Sequence, residues 1–342
     1  MMARLKERAQ QEPESSVGRI IDEEALRDPE ASYEIPATGA SRAMKRARGA
    51  TQPAIPRTLE DMTEEMSQVG REELRSTSVG SQFFLDEPIR GADGETLAEG
   101  FVSQRMVAHL RRHPAEASQL LMDATFKTLP RRPEGVHQFF SVHVLYVDVA
   151  VPVAFFLMKR RTEDSYRRVL SHMRENFLNW NFMTITTDFE VGQVNAIRAV
   201  FPEARHIGCW FHFCQAIWRY VVAEGLTASI RADFEVKKVV KMFMALLHLP
   251  PHPGPPHDDR VPPYGIADGL NAISNYIDEG NLDRRLQNAV AYVRRYWVGV
   301  IGVESLSTFQ APRRTNNYLE SFHSRMLAAF GVNLDIWSFI IE

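Results

Sequence analysis

The hydrophobic pattern is clearest between residues 119 and 220, where short apolar runs alternate with helical periods. Residues 183–187 form a largely β-branched run, typical of a buried strand, that ends on Asp188. Apolar side chains then recur at near-helical spacing over residues 191–200, and residues 204–208 form a second short strand. The predicted unit is therefore strand, acid, helix, strand, Cys-x-x-His motif and helix.

Three further strands are predicted before this unit. The first, residues 119–126, carries an apolar run that arrives at Asp123, and residues 139–147 and 153–158 form a hairpin. Open α/β sheets usually place working side chains at the carboxyl ends of their strands, which is where Asp123 and Asp188 stand. The order of elements predicts an α/β fold with a mixed sheet flanked by helices.

The flanking regions have different patterns. Residues 1–80 are polar, with few aromatic side chains and no lasting apolar period, which predicts a disordered, low-complexity tail. Later segments show helical but no strand periodicity. The predicted divisions are the tail (1–80), an N-terminal helical flank (81–116), the first part of the core (117–222), an all-helical insertion (223–312) and a final core helix carrying Glu320 (313–342), after which the gene product is expected to be truncated.

Composition and charge exclude several classes of protein. The 342 residues carry a formal net charge of -3, so a nucleic-acid surface has to be local rather than global. Two cysteines do not make a disulfide framework, and no apolar run reaches the length of a membrane span. The sequence begins without the apolar core of a signal peptide. We therefore expect an intracellular protein.

Three acids are candidates for chemistry: Asp123, Asp188 and Glu320. Each alone has an ordinary structural interpretation, as a strand-end turn residue, a helix N-cap or a solvated helix carboxylate. Together they fit the cleavage or transfer of a phosphodiester, which two Mg²⁺ or Mn²⁺ ions roughly 3.5–4 Å apart promote. Carboxylates are the hard oxygen ligands that hold such ions.

Four blocks carry a family resemblance: LLMDATF around Asp123, TTDFE around Asp188, CWFH over Cys209 to His212, and TNNYLESFH around Glu320. Over residues 119–342 the chain resembles the Mutator-like element (MULE) transposase domain, of the DDE transposases with an RNase H-like fold. The resemblance implies that the three acids are the metal-binding catalytic triad and that Cys209 and His212 support the active site.

The resemblance also implies an activity and partners. The protein would nick DNA at the terminal inverted repeats of a transposon, and the freed 3′-hydroxyl would attack target DNA. It would act in the nucleus, as a homo-oligomer when active and without a membrane. Basic residues near strand ends are candidates for phosphate contacts or ordinary surface charges, namely Lys127, Arg131, Arg132, Lys159, Arg160 and Arg161.

Two other hypotheses stay open beside this one. The first is a domesticated or decayed derivative that binds DNA or protein without cutting. It is favoured because cysteines only at positions 209 and 214 leave no FLYWCH or WRKY-like zinc module, which many relatives carry. The second is an RNase H-like nuclease acting on RNA, which fits the acids but not the NNYLESFH block.

A structural zinc site built from His206, Cys209, His212 and Cys214 is not expected. Their compact spacing lacks the separated ligand pairs of such sites.

Overall fold

A seven-stranded mixed sheet forms the centre of the computed structural model, which describes residues 1–12, 15, 17–50, 53–77, 79–255, 258, 260–330 and 335–341. Its strands are β1 (Ile89–Arg90), β2 (Thr96–Val102), β3 (Gln119–Thr125), β4 (Gln138–Tyr146), β5 (Val149–Met158), β6 (Thr184–Thr187) and β7 (Arg205–Gly208). They lie side by side in the order β1-β2-β5-β4-β3-β6-β7.

Strand directions divide the sheet into two parts. Strands β1 to β5 pair antiparallel with their neighbours, whereas β3, β6 and β7 run parallel. A parallel connection needs a crossover, and one helix supplies it between β6 and β7. The predicted fold class, an α/β mixed sheet flanked by helices and consistent with the RNase H-like transposase fold, is confirmed.

Helices flank the sheet and make up most of the regular structure in the rest of the described chain. The first six are α1 (Met2–Gln11), α2 (Val17–Arg27), α3 (Pro29–Glu34), α4 (Ala37–Gly49), α5 (Leu59–Ser67) and α6 (Glu72–Arg75). Four more accompany the core: α7 (Gln104–Leu110), α8 (Glu163–Asn176), α9 (Val191–Val200) and α10 (Trp210–Ala223). None of these or the later described helices combines the length and apolar character that crossing a bilayer requires.

The remaining helices come after β7. They are α11 (Thr227–Ala232), α12 (Phe234–Ala245) with the 3₁₀ turn Leu246–His248, α13 (Ile266–Glu279), α14 (Arg285–Tyr292) with the π-helical segment Val293–Ile301, α15 (Val303–Leu306), α16 (Asn317–Phe330) and α17 (Ile336–Ile341). Those from α11 to α15 pack with α10 around a hydrophobic cluster of their own that includes Phe243, Ile273 and Trp297.

The two faces of β3 bury different partners because successive side chains in a strand point to opposite sides. Leu120 and Met122 belong to the main hydrophobic cluster, with Leu170 of α8 and Ile197 of α9. Leu121 faces the other way and packs against Leu319 of α16. Asp123 follows Leu121 by two positions, so its carboxylate is on the face that α16 covers.

The prediction of disorder over residues 1–80 is not confirmed, because the described residues there form helices α1 to α6. Their apolar positions are few but converge: Leu5, Ile20 and Met44 are fully buried in one cluster. Arg8 lies 3.1 Å from the buried Glu24 and forms further ion pairs with nearby acids. Composition alone did not reveal that these charges neutralise one another within the helical group.

The predicted helical flank, residues 81–116, also needs correction because it contains β1 and β2 besides α7. In β2 the polar Glu99 and the glycine Gly100 interrupt the apolar pattern of a strand. Gly100 is needed there, since a Cβ atom would lie 2.5 Å from Leu85 and 2.7 Å from Phe156.

Candidate active site

The pairing of β3 with β6 brings Asp123 and Asp188 together. Leu121 of β3 pairs with Thr186 of β6 in parallel register. Asp123 lies two residues after Leu121, and Asp188 lies two residues after Thr186. On the other side of β6, Thr187 pairs with Gly208, so Cys209 leaves β7 beside Asp188. One edge of the sheet therefore presents two carboxylates and a thiol.

Phe189 anchors the loop that carries Asp188. Its ring lies over Gly208, where a Cβ atom would come within 1.8 Å of a ring carbon, so a side chain at position 208 is excluded. The same ring packs edge-on against Trp297, with 4.8 Å between the ring centroids. The helical insertion thus holds in place the residue that follows Asp188.

Burial and charge both act on the Asp188 carboxyl group. Burial, followed by the negative charge of Asp123, raises the pKa of Asp188 to about 6, against the lowering effect of His212. A buried carboxyl group whose pKa is raised by a neighbouring acid in this way is a candidate position for a cation.

Helix α16 supplies a histidine to Asp123. His323 Nδ1 lies 3.3 Å from Asp123 Oδ2, and His323 Nε2 lies 3.1 Å from the hydroxyl of Ser141. Ser141 is the cross-strand partner of Asp123 in β4, and its hydroxyl donates to the Asp123 carbonyl oxygen at 3.2 Å. His323 and Ser141 therefore fix the position of the Asp123 backbone and carboxylate together.

Asn316 connects the start of α16 by hydrogen bonds to β3 and to the residue that follows β7. Its side-chain amide donates to the Met122 carbonyl oxygen at 3.0 Å, and its backbone N–H donates to Cys209 Sγ at 3.3 Å. The residue is fully buried, and its side chain bonds to β3 rather than capping α16. These two bonds set the place from which Glu320, one helical turn later, reaches the site.

His212 lies close to Glu320 and within electrostatic reach of Asp188 and Asp123. Its Nε2 is 3.9 Å from Glu320 Oε1. The neighbouring Cys209 sulfur raises the pKa of His212 to about 9, and the charges of Asp188 and Asp123 act in the same direction against burial. Of the two predicted supporting residues, His212 thus lies beside Glu320 and within electrostatic reach of the two aspartates.

The three acids do not form one tight group. Of the residues that the structure describes, the group of His, Cys, Asp or Glu ligand atoms that all lie within 4.8 Å of one another is Cys209, His212 and Glu320. Asp123 instead contacts His323, and Asp188 faces a cavity of about 540 Å³. A shared ion would require these side chains to rearrange.

The cavity beside Asp188 combines positive and negative groups. Arg161, Arg219, Glu190 and His212 line it together with Gln215 and the aromatic rings of Phe189 and Trp297. Glu190 accepts a hydrogen bond from the hydroxyl of Tyr166 at 3.0 Å, and burial raises the pKa of Glu190. Arg161 also stacks on Phe126, with its guanidinium carbon 5.2 Å from the ring centroid.

The other candidate phosphate contacts differ in how available they are. Lys159 is mostly buried and lies 2.8 Å from Glu60, and Arg160 lies 2.6 Å from Glu95. Arg132 pairs with Glu134. The side chains of Lys127 and Arg131 are exposed after β3.

Sequence reasoning missed His323, Ser141 and Asn316 as members of the site. His323 follows Glu320 by three positions and therefore shares its side of the helix, which was the available signal. The sequence contained no such signal for Ser141 and Asn316, because their roles arise from contacts with residues that are 18 and 194 positions away.

A comparison with known families identifies the segment that carries this edge. Residues 119–216 match the model of the MULE transposase domain. The match contains Asp123, Asp188, Cys209 and His212, whereas Glu320 lies beyond it. No curated protein matches the chain.

Proposed function

We propose that this chain, whose residues 119–216 are a MULE transposase domain, is a transposon-derived transposase that cleaves DNA and transfers the cut strand. The observation that carries the proposal is the register of β3 and β6, which sets Asp123 beside Asp188. Helix α16 adds Glu320 to the same edge through the Asn316 contacts. The DNA partners are the terminal inverted repeats and the target, the site of action is the nucleus, and the active form is a homo-oligomer.

The residues at this edge fit two divalent cations, Mg²⁺ or Mn²⁺. Asp188 is a buried acid whose pKa the nearby Asp123 helps to raise, and Glu320 Oε1 is buried without a hydrogen-bond partner. Asp123, Asp188 and Glu320 would hold the ions, which, when bound, activate the attacking oxygen and stabilise the leaving one.

The other residues position the acids and the DNA. His323 and Ser141 orient Asp123, while Phe189 fixes the backbone beside Asp188. Arg161 and Arg219 stand at the cavity next to Asp188, where their guanidinium groups would bind the phosphates that flank the scissile bond.

A nicking assay tests the proposal. Supercoiled plasmid carrying the DNA that flanks this gene is incubated with the full chain and Mn²⁺, and wild type is compared with Asp188→Asn. We expect the variant to lose at least about a hundredfold in rate, since a site ligand matters more than its supporting contacts. Glu116→Gln, which removes the same charge from an exposed position just before β3, should keep the wild-type rate.

A second candidate is a derivative that binds DNA without cutting. It is favoured by the separation of Glu320, which lies with Cys209 and His212 rather than with the two aspartates. Folded wild type that binds plasmid but shows no nicking would support it over the transposase. An RNA–DNA hybrid in a parallel reaction tests the RNA nuclease, which would cut the hybrid in preference to the plasmid.

A further inference from the structure

The strongest feature that the acidic triad leaves unexplained is the cluster of Cys209, His212 and Glu320. Their ligand atoms all lie within 4.8 Å of one another, although Glu320 comes from α16, whereas Cys209 is the N-cap of α10 and His212 lies in its first turn. A thiol, an imidazole and a carboxylate are not the ligand set of Mg²⁺, which takes oxygen donors. They are a set that Zn²⁺ takes.

We propose that Cys209, His212 and Glu320 form a three-ligand site for a zinc-like cation, with the fourth position open. The Cys-x-x-His spacing lets one turn supply two ligands, and the distant glutamate closes the site. It differs from a site made of His206 and Cys214, because His206 Nε2 is already bonded to the Thr187 hydroxyl at 2.8 Å.

Two polar atoms in the cluster lack partners. His212 Nδ1 and Glu320 Oε1 are both buried without a hydrogen bond, an arrangement that costs free energy unless a ligand satisfies it. Cys209 is fully buried, which protects its sulfur from solvent. A bound cation would satisfy the Glu320 oxygen and would neutralise the charge of a coordinating Cys209 thiolate.

The surroundings of Cys209 suit a metal-bound thiolate. The backbone N–H of Asn316 donates to Cys209 Sγ at 3.3 Å, and such outer contacts orient a ligand and stabilise its charged form. Asn316 is held in turn by the carbonyl oxygen of Met122. The sulfur is thus positioned by the same contacts that place α16.

The cluster needs only a small contraction to bind zinc. Bond lengths of about 2.0–2.3 Å in a tetrahedral site bring ligand atoms to roughly 3.3–3.8 Å from one another. The His212–Glu320 distance is 3.9 Å, and both side chains are about one third exposed, at 32% and 33%. They can therefore close on an ion that enters from the cavity, which His212 lines.

The site shares Glu320 with the acidic triad. If the proposed function holds, zinc at Cys209 and His212 withdraws Glu320 from the ions at Asp123 and Asp188 and slows strand cleavage. Binding itself does not depend on that function, so it is tested without an activity assay.

Cobalt(II), a spectroscopic substitute for zinc, is titrated into the metal-free full chain. We expect one equivalent to produce a sulfur-to-cobalt charge-transfer band in the near ultraviolet, which Zn²⁺ then abolishes. Cys209→Ser should remove the band, and His212→Gln and Glu320→Gln should each weaken binding at least about tenfold. Circular dichroism establishes that each variant is folded.

The matched controls use residues just outside the cluster. Cys214→Ser, which replaces the other cysteine of the chain, and Asp188→Asn should both keep the band and the affinity. A folded wild type without a thiolate band overturns the proposal, as does a band that depends on Cys214. If Asp188→Asn still binds cobalt but no longer nicks DNA, the zinc-like site is separate from the proposed cleavage site.

Discussion

Asn316 and Cys209 lie 107 positions apart in the chain, yet the backbone N–H of Asn316 donates a 3.3 Å hydrogen bond to the Cys209 sulfur. The Asn316 side chain simultaneously binds the carbonyl oxygen of Met122, next to Asp123. The start of α16 is therefore fastened to the ends of β3 and β7 at one point. This contact helps to set where α16, and with it Glu320, lies against the sheet.

Replacing Asn316 with alanine should weaken the attachment of α16 to β3. The Met122 carbonyl oxygen loses its side-chain donor in a buried position, which typically costs about 1–3 kcal/mol of unfolding free energy. Urea unfolding measures this cost, and the nicking rate should fall because Glu320 is no longer held. Asn317→Ala, at the exposed next position, is the control, and equal effects of the two variants would contradict the role of Asn316.

Gly208→Ala should displace the loop that carries Asp188. The new methyl group would come within 1.8 Å of the Phe189 ring, and overpacking of this kind costs about 1–3 kcal/mol. Phe189→Leu in the same chain makes room for the methyl group. Urea unfolding of both single variants and the double variant should therefore give a double-variant cost smaller than the sum. Additive costs would show that the two residues do not compete for space.

The raised pKa of Asp188 predicts a pH-dependent cost of folding. Between its usual range and about pH 6 the folded state binds more protons at this carboxyl than the unfolded state, so unfolding free energy falls as pH rises through that window. Above about pH 6, the raised pKa of Asp188 lowers the free energy of unfolding by about 3 kcal/mol relative to a carboxyl group with its usual pKa. Asp188→Asn should accordingly be more stable than wild type at pH 8 in the absence of metal.

Adding metal should reverse the order of stability of wild type and Asp188→Asn. A cation that binds the folded state alone stabilises it by mass action, so Mn²⁺ should raise the melting temperature of wild type and not that of Asp188→Asn. Glu116→Gln should respond to Mn²⁺ as wild type does. An equal rise in the aspartate variant would indicate that the ions bind elsewhere.

Glu99 provides a second pH test, far from the site. Its side chain is fully buried in β2, it accepts a hydrogen bond from the hydroxyl of Thr63, and burial raises its pKa to about 8. The folded state therefore holds a proton that the unfolded state releases, and unfolding free energy falls as pH rises from about 4.5 to 8. At pH 7 this cost is about 3 kcal/mol.

Glu99→Gln should remove much of that dependence, since glutamine keeps an acceptor for Thr63 without an ionisable group. Urea unfolding at pH 5 and pH 8 should show a smaller difference for the variant than for wild type. Glu64→Gln, exposed on α5, should leave the difference unchanged. The charged groups that influence Glu99, namely Glu60, Lys159 and Arg90, remain in both variants.

The parts of the fold that the sequence predicted are those governed by local patterns. Strand β3 carries an apolar run before Asp123, and β6 is a β-branched segment that ends just before Asp188. Strand β2 escaped prediction because Glu99 is accommodated in neutral form and Gly100 is required by close packing with Leu85 and Phe156. Both are tertiary effects that no local pattern contains.

The candidate site divides in the same way into residues that local patterns indicate and contacts that they do not. Its acids could be found from strand ends and from a family resemblance, whereas the contacts that hold them could not. The contact of His323 with Asp123, like that of Asn316 with Cys209, depends on where α16 crosses the sheet. That crossing is determined by Leu319 packing on Leu121 and Leu145, which are far away in sequence.

The late position of α16 in the chain has a consequence for biosynthesis. A ribosome releases the chain from its first residue onward, and early segments fold as they emerge. Strands β3, β6 and β7 can therefore pair, with Asp123 beside Asp188, while Asn316 and Glu320 are still to be translated. Glu320 joins this edge only when α16 docks, so the proposed cleavage site would stay incomplete in a nascent chain whose sheet has already formed.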